Sequence, residues 1–340
     1  MLMMLMVLEL GCRLSLGRSY LIRWPNLVLQ QEADSINDLH GQYIYDPTLG
    51  YVPGPSFRSR EVNYDDRGFR LTPAPPADAA AGAAILAAGD SFTEGDEVSD
   101  AETWPAYMPA LVGRRTINAG VNGYGLDQTV LRTERQAALL RPSAIVVSFF
   151  ADDLRRSEMS RMERPAKPYF TLDNVGTLVL HGVELPAAGL TYDRLTFLQR
   201  AFGWSILLQF TLQRLDEWDD WSSFVQRASP RGTGERLACP LMHRLAALAV
   251  PILVVAQYDR TIWEPGHATE QAEEHRQTAL VLHCAETAGL ATLDTFGVLE
   301  KTVHAQGIEA LYGAWHHNAS GNRLVAQVIA AELERRRMLP

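Results

Sequence analysis

The stretch Ala83-Ala-Ile-Leu-Ala-Ala-Gly-Asp-Ser-Phe-Thr-Glu-Gly95 decides the fold. Its apolar half ends abruptly in Gly89-Asp90-Ser91, and a short apolar run bounded by turn residues is typical of a buried strand. The polar turn that follows, up to Glu97, can lead into a helix. A serine at the carboxyl end of a buried strand lies in the crevice where open α/β sheets bind ligands. We therefore predict that Ser91 is a nucleophile.

Beyond this stretch, strand patterns alternate with helical patterns. The predicted strands are 83–88, 115–121, 144–150, 251–256 and 291–296, and the predicted helices are 103–112, 126–140, 270–288 and 321–337. Such alternation favours a parallel sheet with helices on both faces. Residues from about 155 to 235 break the alternation, with a hairpin pattern around 178–183 and a tryptophan-rich amphipathic stretch. We predict that they form an insertion that covers or edges the site.

The N-terminal residues 1–77 are predicted to form a leader, joined to the main domain 78–340 by a linker rich in Pro and Ala at 72–82. Residues 1–10 are apolar, but a helix that spans a bilayer needs about 20 apolar residues. Three interpretations remain open for them: a helix packed on the protein, the end of a membrane anchor whose start is missing, or a peripheral membrane anchor. The compartment also stays open between the cytoplasm and a membrane-associated or periplasmic location.

Composition narrows the range of partners. The chain has 340 residues, of which 47% are hydrophobic, and its net charge of -9 offers no electrostatic attraction to nucleic acid. The three cysteines, Cys12, Cys239 and Cys284, are far apart, which indicates neither a disulfide framework nor metal-ligand spacing. They are expected to be buried free thiols, with one bridge as the alternative. We expect no metal and no cofactor.

Four short blocks stand in a fixed order along the chain. They are Gly89-Asp-Ser-Phe-Thr-Glu-Gly95, Asn118-Ala-Gly-Val-Asn-Gly-Tyr-Gly125, Phe149-Phe-Ala-Asp-Asp-Leu154 and Trp315-His-His-Asn-Ala-Ser-Gly321. In this order they resemble the SGNH, or GDSL, hydrolases, a family of serine esterases, lipases, acyltransferases and carbohydrate deacetylases. The resemblance covers residues from about 83 to 335, and the leader is similar to that of larger bacterial members. It implies a flavodoxin-like three-layer α/β/α sandwich around a central parallel sheet.

The resemblance also implies roles for individual residues. Ser91 matches the nucleophile, and His316 matches the histidine that takes the serine proton and passes it to the leaving group. The attacked carbonyl becomes an oxyanion, which needs hydrogen-bond donors positioned in advance. By the resemblance, the backbone N–H groups of Ser91 and Gly120 are two donors, and the third position falls on Asp152. The implied substrate is a small-molecule or glycan ester.

Two positions depart from the family pattern. Asp152 replaces an asparagine, and an ionised carboxylate only accepts hydrogen bonds. Gly313 replaces the aspartate three residues before the histidine, which leaves His316 without its usual orienting acid. We expect either a Ser–His dyad held by a backbone carbonyl or an acid from elsewhere, with Asp294 as one candidate. His317 is the alternative base, and Asp90 and Asn318 are candidates for supporting roles.

These residues predict a serine hydrolase that forms an acyl-enzyme, namely an esterase or deacetylase. An O-acyltransferase acting on a glycan is one alternative, which an anchor at residues 1–10 would suit. A catalytically impaired SGNH-like binding protein is the other, because Asp152 and Gly313 both depart from the pattern.

Overall fold

A computed structural model describes residues 2–30, 41–77, 82–162, 166–183, 195–215, 217–222 and 225–339. The strands are β1 (Tyr43–Asp46), β2 (Gly50–Pro53), β3 (Ile85–Ala88), β4 (Thr116–Asn118), β5 (Ala144–Phe149), β6 (Met159–Met162), β7 (Tyr169–Leu172), β8 (Leu178–His181), β9 (Val225–Arg227), β10 (Ile252–Ala256) and β11 (Ala291–Asp294).

The α-helices are α1 (Leu2–Leu16), α2 (Ser19–Ile22), α3 (Ser91–Glu94), α4 (Trp104–Val112), α5 (Leu126–Leu140), α6 (Asp152–Arg156), α7 (Phe197–Phe202), α8 (Ile206–Arg214), α9 (Trp218–Ser222), α10 (Thr233–Ala246), α11 (Ala268–Thr287), α12 (Phe296–Gln306) and α13 (Ala319–Arg335). A further helical turn covers residues 27–30, and short 3-10 helices cover Asp100–Glu102, Thr261–Trp263 and Ile308–Ala310.

The central sheet has five parallel strands in the order β11-β10-β5-β3-β4. Counted along the chain, this is the flavodoxin-like order 2-1-3-4-5, whose ligand crevice lies where the strand order reverses. That reversal falls between β3 and β5. Ser91 directly follows β3, and Asp152 begins the helix after β5. The topology therefore brings two of the residues singled out in the sequence to one crevice.

Helices cover both faces of the sheet, which gives the predicted three layers. Successive strand residues point to opposite faces, so Leu86 packs with α5, α10 and α11 while Ile85 packs with α4 and α13. Every residue of β5 and β10 is buried. Because both faces of these strands are covered, their sequences are continuous apolar runs and do not alternate between apolar and polar residues. The fold class expected from the sequence is confirmed.

The segment before the sheet packs on the domain. Tyr43, Leu49, Tyr51 and Phe69 lie in the same hydrophobic cluster as one face of the central sheet, and the Gln128 side chain on α5 donates to the Leu49 carbonyl at 2.8 Å. The antiparallel pair β1–β2 is thereby held against α5. Residues 78–81 of the predicted linker lie outside the described residues, as does Met1.

The predicted insertion contains two small antiparallel sheets, β6–β9 and the hairpin β7–β8, and the helices α7 to α9. The hairpin predicted around 178–183 is present. Trp218 is buried in a small cluster with Val28 and Leu195, whereas Trp204 lies beside Arg13 of α1. These tryptophans pack within and against the insertion and do not line the cleft described below.

One disulfide corrects the expectation of free thiols. Cys239 on α10 and Cys284 on α11 form a bridge, and Cys12 is the free cysteine of the described chain. The two helices lie side by side on one face of the sheet, which brings together cysteines that are 45 residues apart. Sequence spacing could not reveal this proximity, because it arises from helix packing.

Among the helices of the described residues, none combines the length and the apolar composition needed to cross a bilayer. The longest apolar candidate, α1, is 15 residues long.

Candidate active site

Ser91 opens the short helix α3 directly after β3. The Asp90 side chain caps this helix by accepting a hydrogen bond from the Phe92 N–H at 3.0 Å. A Cβ on Gly89 would lie 2.2 Å from Thr93 Oγ1 and 2.7 Å from the Ser148 carbonyl oxygen, so only glycine fits this sharp turn. Ser91 is 3% exposed, which places its hydroxyl at the floor of a cleft rather than on the surface.

His316 reaches Ser91 from the other end of the chain. The distance from His316 Nε2 to Ser91 Oγ is 2.9 Å, although the residues are 225 positions apart. His316 lies on the loop between the 3-10 helix at Ile308–Ala310 and α13, and its ring meets the edge of the Phe92 ring at a centroid distance of 5.0 Å. The structure therefore brings the predicted nucleophile and the predicted base within hydrogen-bonding distance.

Glu97 supplies the acid that the sequence lacks at position 313. Its Oε1 lies 3.1 Å from His316 Nδ1, the ring nitrogen that faces away from Ser91. The same carboxylate accepts hydrogen bonds from the backbone N–H groups of Ala314 at 2.7 Å and Trp315 at 3.0 Å. Glu97 thus ties the nucleophile segment to the histidine loop and holds the imidazole by its second nitrogen.

The space that a side chain at position 313 would occupy is taken by the Glu97 carboxylate. A Cβ on Gly313 would lie 2.5 Å from Glu97 Oε2, so a side chain there would displace the carboxylate. The Gly313 carbonyl accepts a hydrogen bond from Arg260 Nη1 at 2.6 Å, which anchors this part of the loop. The departure at position 313 and the presence of an acid at position 97 are therefore parts of one arrangement.

The loop that carries Glu97 is held by residues from the N-terminal segment. Arg70 is buried, and its guanidinium donates to the carbonyls of Glu94 at 2.8 Å and Val98 at 2.6 Å and to Asp100 Oδ1 at 3.0 Å. Glu97 itself has a φ of 67°, in the left-handed region that non-glycine residues seldom adopt. The clamp formed by Arg70 maintains this backbone.

A buried carboxylate reinforces the same loop from behind. Glu94 accepts hydrogen bonds from Tyr43 Oη at 2.8 Å, from Tyr64 Oη and from the Asn122 N–H at 2.7 Å. Burial raises the pKa of Glu94, and nearby Asp96 raises it further. Residues of the predicted leader thus form part of the support of the site.

Asp152 lines the cleft as an ionised, paired carboxylate. It lies 2.5 Å from Arg155 Nε and 2.9 Å from Arg156 Nε. Burial by itself raises the pKa of Asp152, but the positive charges of Arg156 and Arg155 outweigh burial and hold the pKa below its usual value. Asp152 is therefore an acceptor bound to two guanidinium groups.

Two further acids lie deeper, behind the cleft. Burial raises the pKa of Asp90 to about 6, while Arg156, with Nη1 3.9 Å from Asp90 Oδ2, lowers it in part. Burial and the neighbouring Asp90 raise the pKa of Asp153 well above its usual value. Asp90 therefore supports the site as the cap of α3 and as part of a buried charge cluster with Arg156.

Gly120 does not face the cleft. Its N–H donates to Asn118 Oδ1 at 3.0 Å, and a Cβ on it would lie 2.2 Å from the Glu94 nitrogen. It allows the second block to pack against the back of α3, so its N–H is already used. This corrects the expectation that Gly120 is an oxyanion donor. Gly123, three residues further along, lines the cleft beside Ser91 and has a φ of 77°.

The remaining candidates have structural positions. Asn318 caps α13 by accepting from the N–H groups of Ser320 and Gly321. Asp294 accepts from Tyr258 Oη at 2.8 Å and lies 3.5 Å from His275, so it does not orient His316. His317 is buried against Phe92 and Tyr312, and burial and nearby His316 lower its pKa to about 3. His317 is thus a neutral core residue and not the base.

The cleft above Ser91 has a volume of about 590 Å³. It is lined by Ser91, Phe92, Asn122, Gly123, Phe150, Asp152, Arg155, Arg156, Met162, Asp259, Trp315 and His316. Arg155, Arg156 and Met162 come from the start of the predicted insertion, so part of that segment lines the cleft.

Comparisons with known proteins find similar structures at low similarity. No family model matches the sequence, and no curated protein matches it. An alpha/beta hydrolase from the metagenome of Lake Arreo, Spain, shares 17% identity over 77% of this chain and 98% of its own, with a TM-score of 0.42. An acetylxylan esterase from Geobacillus stearothermophilus shares 16% identity over 74% of this chain and 94% of its own, with a TM-score of 0.43.

A protein of the G-D-S-L family from Desulfitobacterium hafniense DCB-2, named as lipolytic, shares 12% identity over 74% of this chain and 100% of its own, with a TM-score of 0.37. These values are too low to transfer an activity to this chain.

Proposed function

We propose that this chain is a serine hydrolase that cleaves an acyl ester through an acyl-enzyme on Ser91. The observation that carries the proposal is the hydrogen-bonded series from Ser91 Oγ to His316, 2.9 Å, and from His316 to Glu97, 3.1 Å. A serine hydroxyl is a weak nucleophile until a base lies within hydrogen-bonding distance. A third group that holds the base completes the Ser-His-acid arrangement, which is recognised by geometry and not by sequence order.

The first half of the reaction follows from this geometry. Ser91 Oγ attacks the ester carbonyl carbon as its proton moves to His316 Nε2. Glu97 accepts a hydrogen bond from Nδ1–H, which leaves Nε2 free to act as a base and stabilises the imidazolium that forms. The carbon–oxygen bond to the alcohol then breaks, Nε2–H protonates the departing oxygen, and the acyl group remains on Ser91. A water molecule, activated by His316, then attacks the acyl-enzyme. The bond to Ser91 Oγ breaks, Ser91 regains its proton from His316, and the carboxylic acid is released.

We assign two backbone N–H groups as the hydrogen-bond donors that stabilise the oxyanion. The N–H of Ser91 is one, and the N–H of Gly123 replaces that of Gly120 as the second, because Gly123 lines the cleft while the Gly120 N–H is held by Asn118. Donors fixed before the reaction stabilise the developing charge without reorganisation. Asp152, ionised and paired with two arginines, does not act as the third donor.

The substrate class is a small-molecule or glycan ester. The cleft of about 590 Å³ has room for a compact acyl ester, and Trp315, 62% exposed, stands at its wall beside His316. An exposed indole ring offers a flat apolar surface to the alcohol part of such an ester. A sugar ring or another alicyclic alcohol matches that surface.

The disulfide supports an oxidising compartment. Bridges such as Cys239–Cys284 persist outside the cytosol and are rare within it. We therefore assign the chain to the periplasm or to the cell exterior.

A fluorophosphonate probe tests the nucleophile and the base together. The wild type is expected to be labelled at one residue, with labelling abolished in Ser91→Ala and reduced by ~10³-fold or more in His316→Ala. Ser320→Ala, which removes an exposed hydroxyl from α13, is the matched control and keeps full labelling. Folded protein without labelling would contradict the proposal and favour a binding protein. Acyl transfer to a sugar acceptor that outruns hydrolysis would instead indicate an O-acyltransferase.

A further inference from the structure

Helix α1 buries its charged side chains and exposes its apolar ones, which is the reverse of an ordinary surface helix. Of the side chains described in α1, Glu9 and Arg13 are buried, whereas the apolar ones face outward. The exposed apolar side chains are Met3, Met4, Leu5, Met6, Val7, Leu8, Leu10, Leu14 and Leu16, and we call this set the α1 face. A helix that packs on a protein in water normally buries its apolar stripe and exposes its charges. The α1 face therefore requires a separate explanation.

The two buried charges attach α1 to the insertion. Glu9 accepts hydrogen bonds from Ser205 Oγ at 2.9 Å and from the N–H groups of Ile206 at 3.1 Å and Leu207 at 2.9 Å, at the start of α8. A carboxylate at a helix N-terminus satisfies donors that the helix leaves unpaired. The Glu9 carboxylate is thus fully used inside the protein.

Arg13 completes the attachment. Its guanidinium lies 2.7 Å from Glu9, donates to the carbonyls of Tyr20 at 3.0 Å and Arg23 at 3.1 Å, and stacks 3.5 Å above the Trp24 ring. The orientation of α1 is therefore fixed by buried ionic contacts, and its apolar side chains are held outward by the fold.

The segment after α1 adds residues suited to a boundary between water and lipid. Trp24 is 53% exposed, Ile22 is 86% exposed, and Tyr20 is also exposed. Tryptophan and tyrosine combine an apolar ring with a polar atom, which favours the headgroup level of a bilayer.

The charge of this region is opposite to that of the whole chain. Residues 2–30 contain three arginines and one glutamate, whereas the net charge of the chain is -9. Arg13 is paired with Glu9, so the exposed charges are those of Arg18 and Arg23, which flank α2. Basic residues beside an exposed apolar helix complement an anionic lipid surface.

We propose that the α1 face docks on an anionic lipid bilayer, with α1 lying in the plane of the headgroups and Arg18 and Arg23 contacting lipid phosphates. The buried contacts of Glu9 and Arg13 hold α1 against the insertion with its apolar side chains exposed, which suits a helix that lies along the bilayer. This proposal does not depend on the chemistry at Ser91. Its consequence is that the chain is held at a membrane surface.

Vesicle flotation tests the docking. The full chain is mixed with vesicles of equal parts phosphatidylglycerol and phosphatidylcholine, or of phosphatidylcholine alone, and centrifuged through a density gradient. The wild type is expected to float with the anionic vesicles and at least ~10-fold less with the neutral ones, because each basic residue near an anionic surface contributes a factor of about five.

Charge substitutions on one side of the α1 face provide the variant. Met3→Glu, Met6→Glu and Leu10→Glu, combined, place three acids at helical spacing on exposed positions and are expected to lower the bound fraction at least ~10-fold. The matched control combines Leu111→Glu, Leu139→Glu and Val175→Glu, which replace exposed apolar residues elsewhere, and it keeps flotation. Both variants are expected to keep the circular dichroism spectrum and the cooperative thermal unfolding of the wild type, which shows that each is folded.

Three results would overturn the proposal. The first is a wild type that does not float, and the second is equal flotation with neutral and anionic vesicles. The third is a wild type that is a dimer in solution, does not float, and becomes a monomer in the triple α1 variant, because a second copy would then be the occupant of the α1 face.

Discussion

Glu97 and Gly313 share one space beside His316. A Cβ on Gly313 would lie 2.5 Å from Glu97 Oε2, the same carboxylate whose Oε1 is 3.1 Å from His316 Nδ1. A side chain at position 313 would therefore require the observed carboxylate to shift. The acid that is missing before the histidine, at position 313, is thus replaced in space by the carboxylate of Glu97.

An exchange of the acid between the two positions tests this relationship. Glu97→Ala is expected to lower kcat by ~10²–10⁴-fold, because the imidazole loses the group that fixes its tautomer. Gly313→Asp alone is expected to lower kcat as well, since its side chain displaces Glu97. The double variant Glu97→Ala/Gly313→Asp is expected to recover at least ~10-fold over Glu97→Ala, measured as ester hydrolysis.

Glu97→Ala/Gly313→Ala is the control for the exchange, and it should show no recovery because it adds a side chain without an acid. Full activity of Glu97→Ala would contradict the role of Glu97 and indicate that Ser91 and His316 work as a dyad.

Asp152→Asn tests the third oxyanion position. The carboxylate only accepts hydrogen bonds, whereas an amide keeps an acceptor for Arg156 and replaces the oxygen that accepts from Arg155 with an N–H donor, which must turn away from that guanidinium. One additional donor is worth up to ~10²–10³-fold, so the acylation rate is expected to rise by about tenfold or more. The measurement is the rate of fluorophosphonate labelling. A fall in rate would mean that the negative charge at Asp152 is required to hold Arg155 and Arg156.

Arg70 is expected to act on the rate through the loop that carries Glu97. Arg70→Lys keeps the charge but cannot donate at once to the Glu94 and Val98 carbonyls and to Asp100, and each buried group left unpaired costs about 1–3 kcal/mol. We expect a loss of ~2–4 kcal/mol in the free energy of unfolding and a fall in kcat, with KM changed little. Arg67→Lys, at an exposed arginine of the same segment, is the control. A stability loss without a change in kcat would limit Arg70 to a structural role.

Because His317 is buried, we predict that the free energy of unfolding decreases in acid. Burial and nearby His316 lower its pKa to about 3 in the folded protein, whereas an unfolded histidine has a pKa of about 6.5. Between these values the unfolded chain binds the proton and the folded chain does not, so the free energy of unfolding decreases as the pH falls below about 6.5. By pH 5 this histidine costs about 2 kcal/mol.

His317→Phe should remove this acid sensitivity, because its ring packs against Phe92 and Tyr312 and neither ring nitrogen has a partner among the described residues. The readout is the difference between denaturation curves of the two proteins at pH 5 and pH 8. The difference is needed because Asp90 and Glu274, whose pKa values are raised, titrate with the opposite sign. Parallel curves would show that His317 does not titrate in this range.

We predict that reduction of the Cys239–Cys284 disulfide lowers the free energy of unfolding. The bridge between Cys239 and Cys284 closes a loop of 45 residues, and such a constraint on the unfolded chain is worth about 2–4 kcal/mol. Cys239→Ala/Cys284→Ala is expected to unfold at lower denaturant concentration, and a reductant should have the same effect on the wild type but none on the double variant. Insensitivity of the wild type to the reductant would contradict a role of the bridge in stability. Cys12→Ala is the control.

Most of the fold could be predicted because its determinants are local. The helix predicted at 126–140 has the same bounds in the structure, and the strand at 251–256 differs by one residue. Where a prediction failed at the ends, turn geometry was the cause: the strand predicted at 115–121 ends at Asn118, because the Asn118 side chain turns back to the Gly120 N–H.

The residues of the candidate site also fall into those that local sequence indicates and those that only tertiary contacts reveal. Ser91 and His316 follow from short motifs whose residues are neighbours in sequence. The sequence places Glu97 only in a polar turn, because nothing in it indicates a φ of 67° or a histidine loop that closes over this residue. The glycine at position 313 was a usable signal, since a missing acid implies a replacement within reach of the same nitrogen.

The sequence by itself determined the order of strands and helices and singled out Ser91 and His316, because hydrophobic periodicity and short motifs act over a few residues. Only the tertiary structure decided which acid holds His316, which glycine faces the cleft, which cysteines are joined and that α1 turns its apolar side chains outward. Each of these depends on a contact between segments far apart in the chain, and such contacts form only when the sheet and its loops are assembled.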